Sequence, residues 1–367
     1  MRHYTEVDWL VALHHISGVG WHTINKIKQI CGSFDQLPDR LLIHAKELEQ
    51  LKLPWSSIRQ QLHSSDTVQS IRTLKSSPIR TITVLDDEYP ELLREIAQPP
   101  WVLYVLGDVS LLKRPSLGIV GTRHPSHYGR TVARKLSSQL AENGFTIVSG
   151  MAIGIDSEAH SGALEVKGDT VAVLGCGVDV VYPKSNTRLY KEIIHSGAVV
   201  SEFPPGTTPL PGFFPQRNRI ISGLSRGAII VEAQEKSGSL ITADASVEQN
   251  RDVFAIPGPI TSPKSIGPNR LIQQGAKCVT TVEDVLEEYQ DVQPPSEHHH
   301  QVTTAEGPVQ LSFDEARVLE QLEVEPIHLD VLAERTSLSL AELHSLLLSL
   351  QLKRLVKQLP GSQFVRV

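Results

Sequence analysis

Cysteine is scarce in this chain. Its 367 residues include three, Cys31, Cys176 and Cys278, far apart and without a CxxC pair. That spacing offers neither a disulfide framework nor a zinc cluster, and it predicts reduced thiols in a cytoplasmic protein. No run of 18 apolar residues occurs, so no membrane segment is expected. The opening MRHYTEVDWL lacks the charged start and apolar stretch of a signal peptide. Positive charge is not in excess either. Thirty-five Lys and Arg against 41 Asp and Glu give a net charge of −6, so a site for a polyanion must be focused rather than spread over the surface. Catalytic signatures are also missing. There is no GxxxxGK[ST] loop, no GxGxxG fingerprint, and no GxSxG, HExxH or HxE…PCxxC pattern.

What is present divides into four segments. Residues 1–77 read as helical, resembling a SAM or helix-hairpin-helix unit: an apolar helix over Val7–Leu13, a tight Ile16–Gly20 turn (ISGVG), then TINKIKQI. Glycines in such a turn let backbone N–H groups approach a phosphate, but they equally serve a plain helix–helix turn. Residues 78–291 alternate short apolar runs with amphipathic stretches, the pattern of an α/β parallel sheet. The expected strands are SLGIVG from Ser116, FTIVSG from Phe145, TVAVLG from Thr170, AVVSEF from Ala198, GAIIVEA from Gly227, DVFAIPG from Asp252 and KCVTTV from Lys277. A helix is expected over Tyr128–Asn143, with Val132, Leu136 and Leu140 on one face and Gly144 at its C-terminus. Residues 292–310 carry PP, HHH and GP and read as a linker, with His298–His300 a solvated tract rather than a metal site. Residues 311–367 read as a winged helix: three helices and a ribbon turning at Pro360 and Gly361. Its third helix is mainly Leu, Ser, Glu and His, and the segment holds 6 Lys and Arg against 8 Asp and Glu. That balance favours protein contact or dimer support over reading of duplex DNA.

The strand ends carry the chemistry, because ligands of open α/β sheets bind at the carboxyl edge. GIVGTR places Gly121, Thr122 and Arg123 where a helix start and a guanidinium meet an anion, or where a structural turn leaves the arginine in solvent. SGMAIGIDSEAH offers Gly150 and Gly154 for close approach to a ligand, with Asp156 as a helix cap. Asp156 and His160, four apart, make a poor metal pair without a third ligand. In GCGVDVVYPKSN, Lys184 is either a phosphate contact or a solvated loop lysine. In FFPQRNRIISGLS, Arg217 and Arg219 flank Asn218 at an expected helix start, beside Phe213 and Phe214. Guanidiniums interleaved with aromatics suit phosphates and unpaired bases, while surface arginines over core phenylalanines are the structural alternative. SGSLITA puts Ser237, Gly238, Ser239 and Thr242 at another helix entry suited to phosphate. Glu232 has no evident base or second carboxylate beside it, so an acid–base role is disfavoured.

GIVGTR, SGMAIGID with AH, LGCGVDVVYP, FPQRNRIISGLS, SGSLITA and VFAIPG follow one another in this order, and together they resemble the DprA/Smf family of DNA-processing proteins over roughly Pro78–Tyr289. The resemblance implies a Rossmann-like core that binds single-stranded DNA without sequence preference. It also implies a homodimer that protects incoming strands and helps load the RecA recombinase in natural transformation. No catalytic residue, metal or cofactor is implied. Carried onto this chain, the positive pocket comprises Arg123, Lys184, Arg217 and Arg219, with Arg251 a weaker addition. Its frame is Gly121, Thr122, Gly150, Gly154, Ser237, Gly238, Ser239 and Thr242. Two rivals stand beside this reading. One is a phosphoribohydrolase-like nucleotide-processing enzyme, whose PGGxGTxxE loop would correspond to SGSLITADAS, with Asp244 or no residue as its acid. The other is a duplex-DNA binder acting through the winged helix.

Overall fold

A computed structural model describes residues 4–292, 311–322, 326–336, 338–353, 355–359 and 361–366. Residues 293–310 of the proposed linker, with His298–His300, and Pro360 therefore lie outside the described residues. By packing, the chain forms two units, residues 1–124 with 133–294 and residues 125–132 with 295–367.

The first unit is built on a nine-stranded sheet. In chain order its strands are β1 (Arg80–Thr83), β2 (Val102–Gly107), β3 (Ser116–Val120), β4 (Thr146–Ser149), β5 (Thr170–Val173), β6 (Ala198–Ser201), β7 (Gly227–Ile230), β8 (Asp252–Ala255) and β9 (Lys277–Cys278). Their spatial order is β1-β2-β6-β5-β4-β3-β7-β8-β9. Strands β6 through β9 are parallel, while β2 is antiparallel to both β1 and β6. The central parallel strands are buried throughout, which is why they read as continuous apolar runs. The stretch β5-β4-β3-β7-β8-β9 reproduces the 3-2-1-4-5-6 order of a dinucleotide-binding sheet, and the winding reverses between β3 and β7.

The sequence expectation is met for β3 to β8 and departs at the edges. KCVTTV forms a strand only at Lys277 and Cys278, with one further bond from Val279 N–H to the Ala255 carbonyl at 3.0 Å. Beyond them the backbone N–H groups of Thr280 and Thr281 donate to the Asp284 carboxylate at 2.7 and 2.9 Å, which turns the chain into the Glu283–Leu286 helix. The Tyr128–Asn143 helix is found at His127–Glu142.

Six helices lie between Glu6 and Ser76. The first carries a Thr5–Asp8 capping box. They do not stand apart from the sheet. Leu10, Leu13, Ile24 and Ile27 share one core with Val102 and Tyr104 of β2 and Val199 of β6. The Trp21 indole donates to the Pro99 carbonyl at 2.7 Å. Gly18, in the ISGVG turn, has φ of +82°.

The second unit holds helices Phe313–Glu320, Leu329–Thr336 and Leu340–Leu352, and a three-stranded sheet of β10 (Ile327–His328), β12 (Gln363–Arg366) and β11 (Val356–Leu359) in that order. Leu343, Leu347 and Leu350 of the third helix are buried in its core. These three leucines serve packing, while Leu340 and Leu348 of the same helix are exposed. Lys353, at the end of that helix, is paired with Glu315 at 2.6 Å.

Candidate nucleic-acid interface

A crevice of about 530 Å³ opens at the carboxyl ends of the strands, at the β3/β7 reversal. The loops that follow β3, β4, β5 and β7 line it, together with the helices Phe213–Leu224 and Gly238–Glu248. The two central loops are held by their backbones. Thr122 N–H donates to the Glu232 carbonyl at 2.7 Å, and Ile155 N–H donates to the Thr122 carbonyl at 3.2 Å. Gly121, Thr122 and Arg123 line one side, and Ser237, Gly238, Ser239 and Thr242 line the other. Phe214, Arg217 and Asn218 come from the Phe213–Leu224 helix. Asn218 ties the halves together, its amide donating to the Gly238 carbonyl at 3.1 Å.

The four arginines of the sequence reading separate. Arg123 is exposed at the mouth, its guanidinium 5.7 Å from the centre of the Phe214 ring. Arg217 is buried. It donates to the carbonyls of Gly150, at 2.7 Å, and of Val173, binding the ends of β4 and β5. The expected helix start at Arg217 is displaced, because the helix begins at Phe213. Residues two apart on a helix do not share a face. With Arg217 turned to the crevice floor, Arg219 therefore points elsewhere and forms a bidentate pair with buried Glu202 at 2.7 and 2.9 Å. Arg219 is thus outside the crevice and its charge is matched. Arg251 is also outside. It precedes β8, at the amino edge of the parallel sheet, and donates to the Leu92 carbonyl at 2.8 Å.

Lys184 is exposed and does not line the crevice. Its loop is anchored nearby, where the Asn186 amide donates to the Met151 carbonyl at 2.8 Å and to Ser157 Oγ at 2.9 Å. The glycines also act differently from the expectation. A Cβ on Gly121 would lie 2.6 Å from Ile155 Cγ1, and one on Gly154 would run into the Thr122 carbonyl. They permit loop-to-loop packing. Gly150 likewise makes room for Arg217 Nη2 and Asp156 Oδ2.

Asp156 is not a helix cap, since Gly154 holds that position. Its carboxylate accepts from Ala152 N–H at 3.3 Å and shares the floor with Arg217. Burial pushes its pKa up to about 6, against the pull of Arg217, of the Ala152 and Gly150 N–H groups and of Arg123. Burial also brings Arg217 down to about 10, which leaves it charged at neutral pH. His160 is engaged by Thr170, its Nδ1 2.7 Å from Thr170 Oγ1, and burial, helped by the Arg217 charge, lowers its pKa to about 3. Among the described residues no group of three or more His, Cys, Asp or Glu side chains is placed to hold a metal ion.

Tyr182 was not selected from the sequence, yet it lines the crevice, 41 % exposed, with its ring 5.4 Å from that of Phe214. Its signal was an aromatic beside the YPKSN lysine. An adjoining niche of about 80 Å³ opens between Tyr182, Phe214, Ile153 and Cys176. Asp244, the acid that SGSLITADAS offers the phosphoribohydrolase-like alternative, borders a different depression with Trp21 and Glu248.

Fold and site together define a doubly wound α/β protein with a crevice edged by Arg123, Phe214 and Tyr182 at its topological switch point. The family model for DNA recombination-mediator protein A matches residues 80–290, and that for the DprA winged helix domain matches residues 302–362. The chain belongs to the DNA recombination-mediator protein A family. It is 46 % identical to the DNA processing protein DprA of Bacillus subtilis over 57 % of this chain and 71 % of that one. It is 42 % identical to protein Smf of Escherichia coli over 76 % and 75 %. Among solved structures, DprA of Streptococcus pneumoniae matches with a TM-score of 0.69 and 39 % identity, covering 78 % of this chain and 98 % of that one. DNA processing protein A of Helicobacter pylori, solved for its single-stranded DNA binding mode, matches with a TM-score of 0.54 and 31 % identity over 59 % and 97 %.

Proposed function

We propose that this chain binds single-stranded DNA without sequence preference in the β3/β7 crevice. As a homodimer it shelters the strand and passes it to the RecA recombinase, with no chemistry of its own. Its unpaired cysteines suit a reducing cytoplasm, and no described helix is long and apolar enough to cross a membrane. One observation carries the reading: Arg123 over Phe214, with Tyr182 beside them, at the rim of a crevice whose far wall is the start of the Gly238–Glu248 helix. Arginine and helix N–H groups hold phosphates, while the aromatic pair stacks bases irrespective of identity. Lys184, exposed on the neighbouring YPKSN loop, would add a second cationic contact for the strand beyond the crevice.

Fluorescence anisotropy with oligothymidylate across a salt series tests it. Each phosphate contact contributes about 0.7 to the log–log salt slope. Arg123→Glu and Lys184→Glu should weaken binding and flatten that slope. Phe214→Ala should weaken it by about 1–3 kcal/mol. Arg251→Glu, at the opposite sheet edge, should bind like wild type. An Arg123→Glu variant that binds normally, or a preference for duplex of equal length, would remove the crevice from the function.

A further inference from the structure

The crevice floor has an unused hydrogen-bonding group. Thr242 lines the crevice one helical turn below Ser239. It is 1 % exposed, and its Oγ1 has no hydrogen-bond partner among the described residues. A buried hydroxyl left unpaired is costly, so a partner that arrives with a ligand is favoured. Above it stands the start of an eleven-residue helix, with Ser237 Oγ 2.8 Å from Ser239 Oγ and accepting only a long 3.4 Å bond from Ser239 N–H.

Depth decides which phosphate fits. An internal phosphodiester has chain leaving on both sides, and both ester links would have to descend to a floor that solvent barely reaches. A phosphate monoester enters end-on, with three free oxygens and a second negative charge for the hydroxyls and the helix start. We propose that Ser237, Ser239 and Thr242 form a phosphate-monoester pocket, which seats the phosphorylated end of a strand or the phosphate of a free nucleotide, with the attached base toward Phe214 and Tyr182. The strand-end form rests on the single-strand reading above.

Anisotropy on the full chain compares oligothymidylates ending in 5′-phosphate, in 3′-phosphate or in hydroxyls only, with inorganic phosphate and thymidine 5′-monophosphate as competitors. One phosphorylated end should bind about tenfold tighter than the hydroxyl-ended strand, an increment of about 1.4 kcal/mol. In Thr242→Val that ratio should fall to about one, whatever the overall affinity. Ser239→Ala provides the same ratio should the valine variant fail to fold. Displacement by thymidine 5′-monophosphate makes the free nucleotide an occupant. End preference without displacement restricts the pocket to strand ends. Equal binding of all three strands with no displacement overturns the pocket and leaves the single-strand reading standing. Failure of every strand to bind overturns that reading instead, and a calorimetric titration with inorganic phosphate then decides the pocket: heat of binding lost in Thr242→Val supports it, no heat overturns it.

Discussion

Acidification from pH 7.5 to 5.5 should strengthen strand binding, through Asp156. The carboxylate lies on the crevice floor beside Arg217, and burial holds its pKa at about 6. At pH 7.5 it is ionised, and its charge offsets Arg217. At pH 5.5 it is largely protonated, and the crevice gains one net positive charge. A phosphate roughly 7 Å away, at an effective dielectric of about 20, feels about 2 kcal/mol of repulsion from the carboxylate. Salt reduces this to about 1 kcal/mol, or about fivefold in affinity when ionisation is complete at one limit and absent at the other. Weighted by the protonated fractions, the gain between the two pH values is about threefold. His124 also lines the crevice, so the comparison belongs in a His124→Gln background. There, Asp156→Asn should bind at pH 7.5 as its Asp156-containing parent does at pH 5.5, and should lose the pH dependence. Stability moves the same way. The folded pKa lies above the usual 3.8, so the folded state holds the proton more tightly than the unfolded chain. The resulting penalty, about 3 kcal/mol, is full above about pH 6 and fades as pH falls toward 3.8. Affinity that is flat or falling on acidification, or an Asp156→Asn variant that keeps the dependence, would refute the electrostatic account.

Much of the site was legible because parallel strands leave a simple trace. Each buried strand is an apolar run, its last residues mark the carboxyl edge, and whatever follows must lie at the crevice. Arg123, Phe214, Asn218 and the Ser237–Thr242 stretch were found in that way. What the sequence concealed was direction. Arg217 and Arg219 look equivalent as letters, but a helix start four residues earlier than expected sends one beneath the strand ends and the other to Glu202. Arg251 adjoins a strand at its beginning, where the parallel sheet turns its back on the ligand. The glycines were legible as close-approach positions, but not what approaches them. Strands β1 and β2 went unread because their edge pairing is antiparallel and sits outside the repeating strand–helix rhythm.

Two stability measurements distinguish structural residues from ligand-binding ones. Arg219→Ala leaves Glu202 buried without its bidentate partner, and urea unfolding should show a loss of about 3–5 kcal/mol. A loss under 1 kcal/mol would mean that Glu202 finds water or another donor. Gly154→Ala should lose both stability and strand affinity. Its φ of +93° is one that L side chains rarely adopt, and the new Cβ would meet the Thr122 carbonyl, in the backbone that carries Arg123. Strain of that kind costs about 1–3 kcal/mol. Relief requires the Thr122 loop to move, and that movement shifts the guanidinium from its place over Phe214. Gly206→Ala is the matched control. Gly206 also has positive φ, +79°, but nothing lies within 4 Å of its added Cβ. It should lose about 1–2 kcal/mol from the backbone alone and keep its affinity. Equal affinity losses in the two variants would show that loop packing at Gly154 does not position the binding arginine.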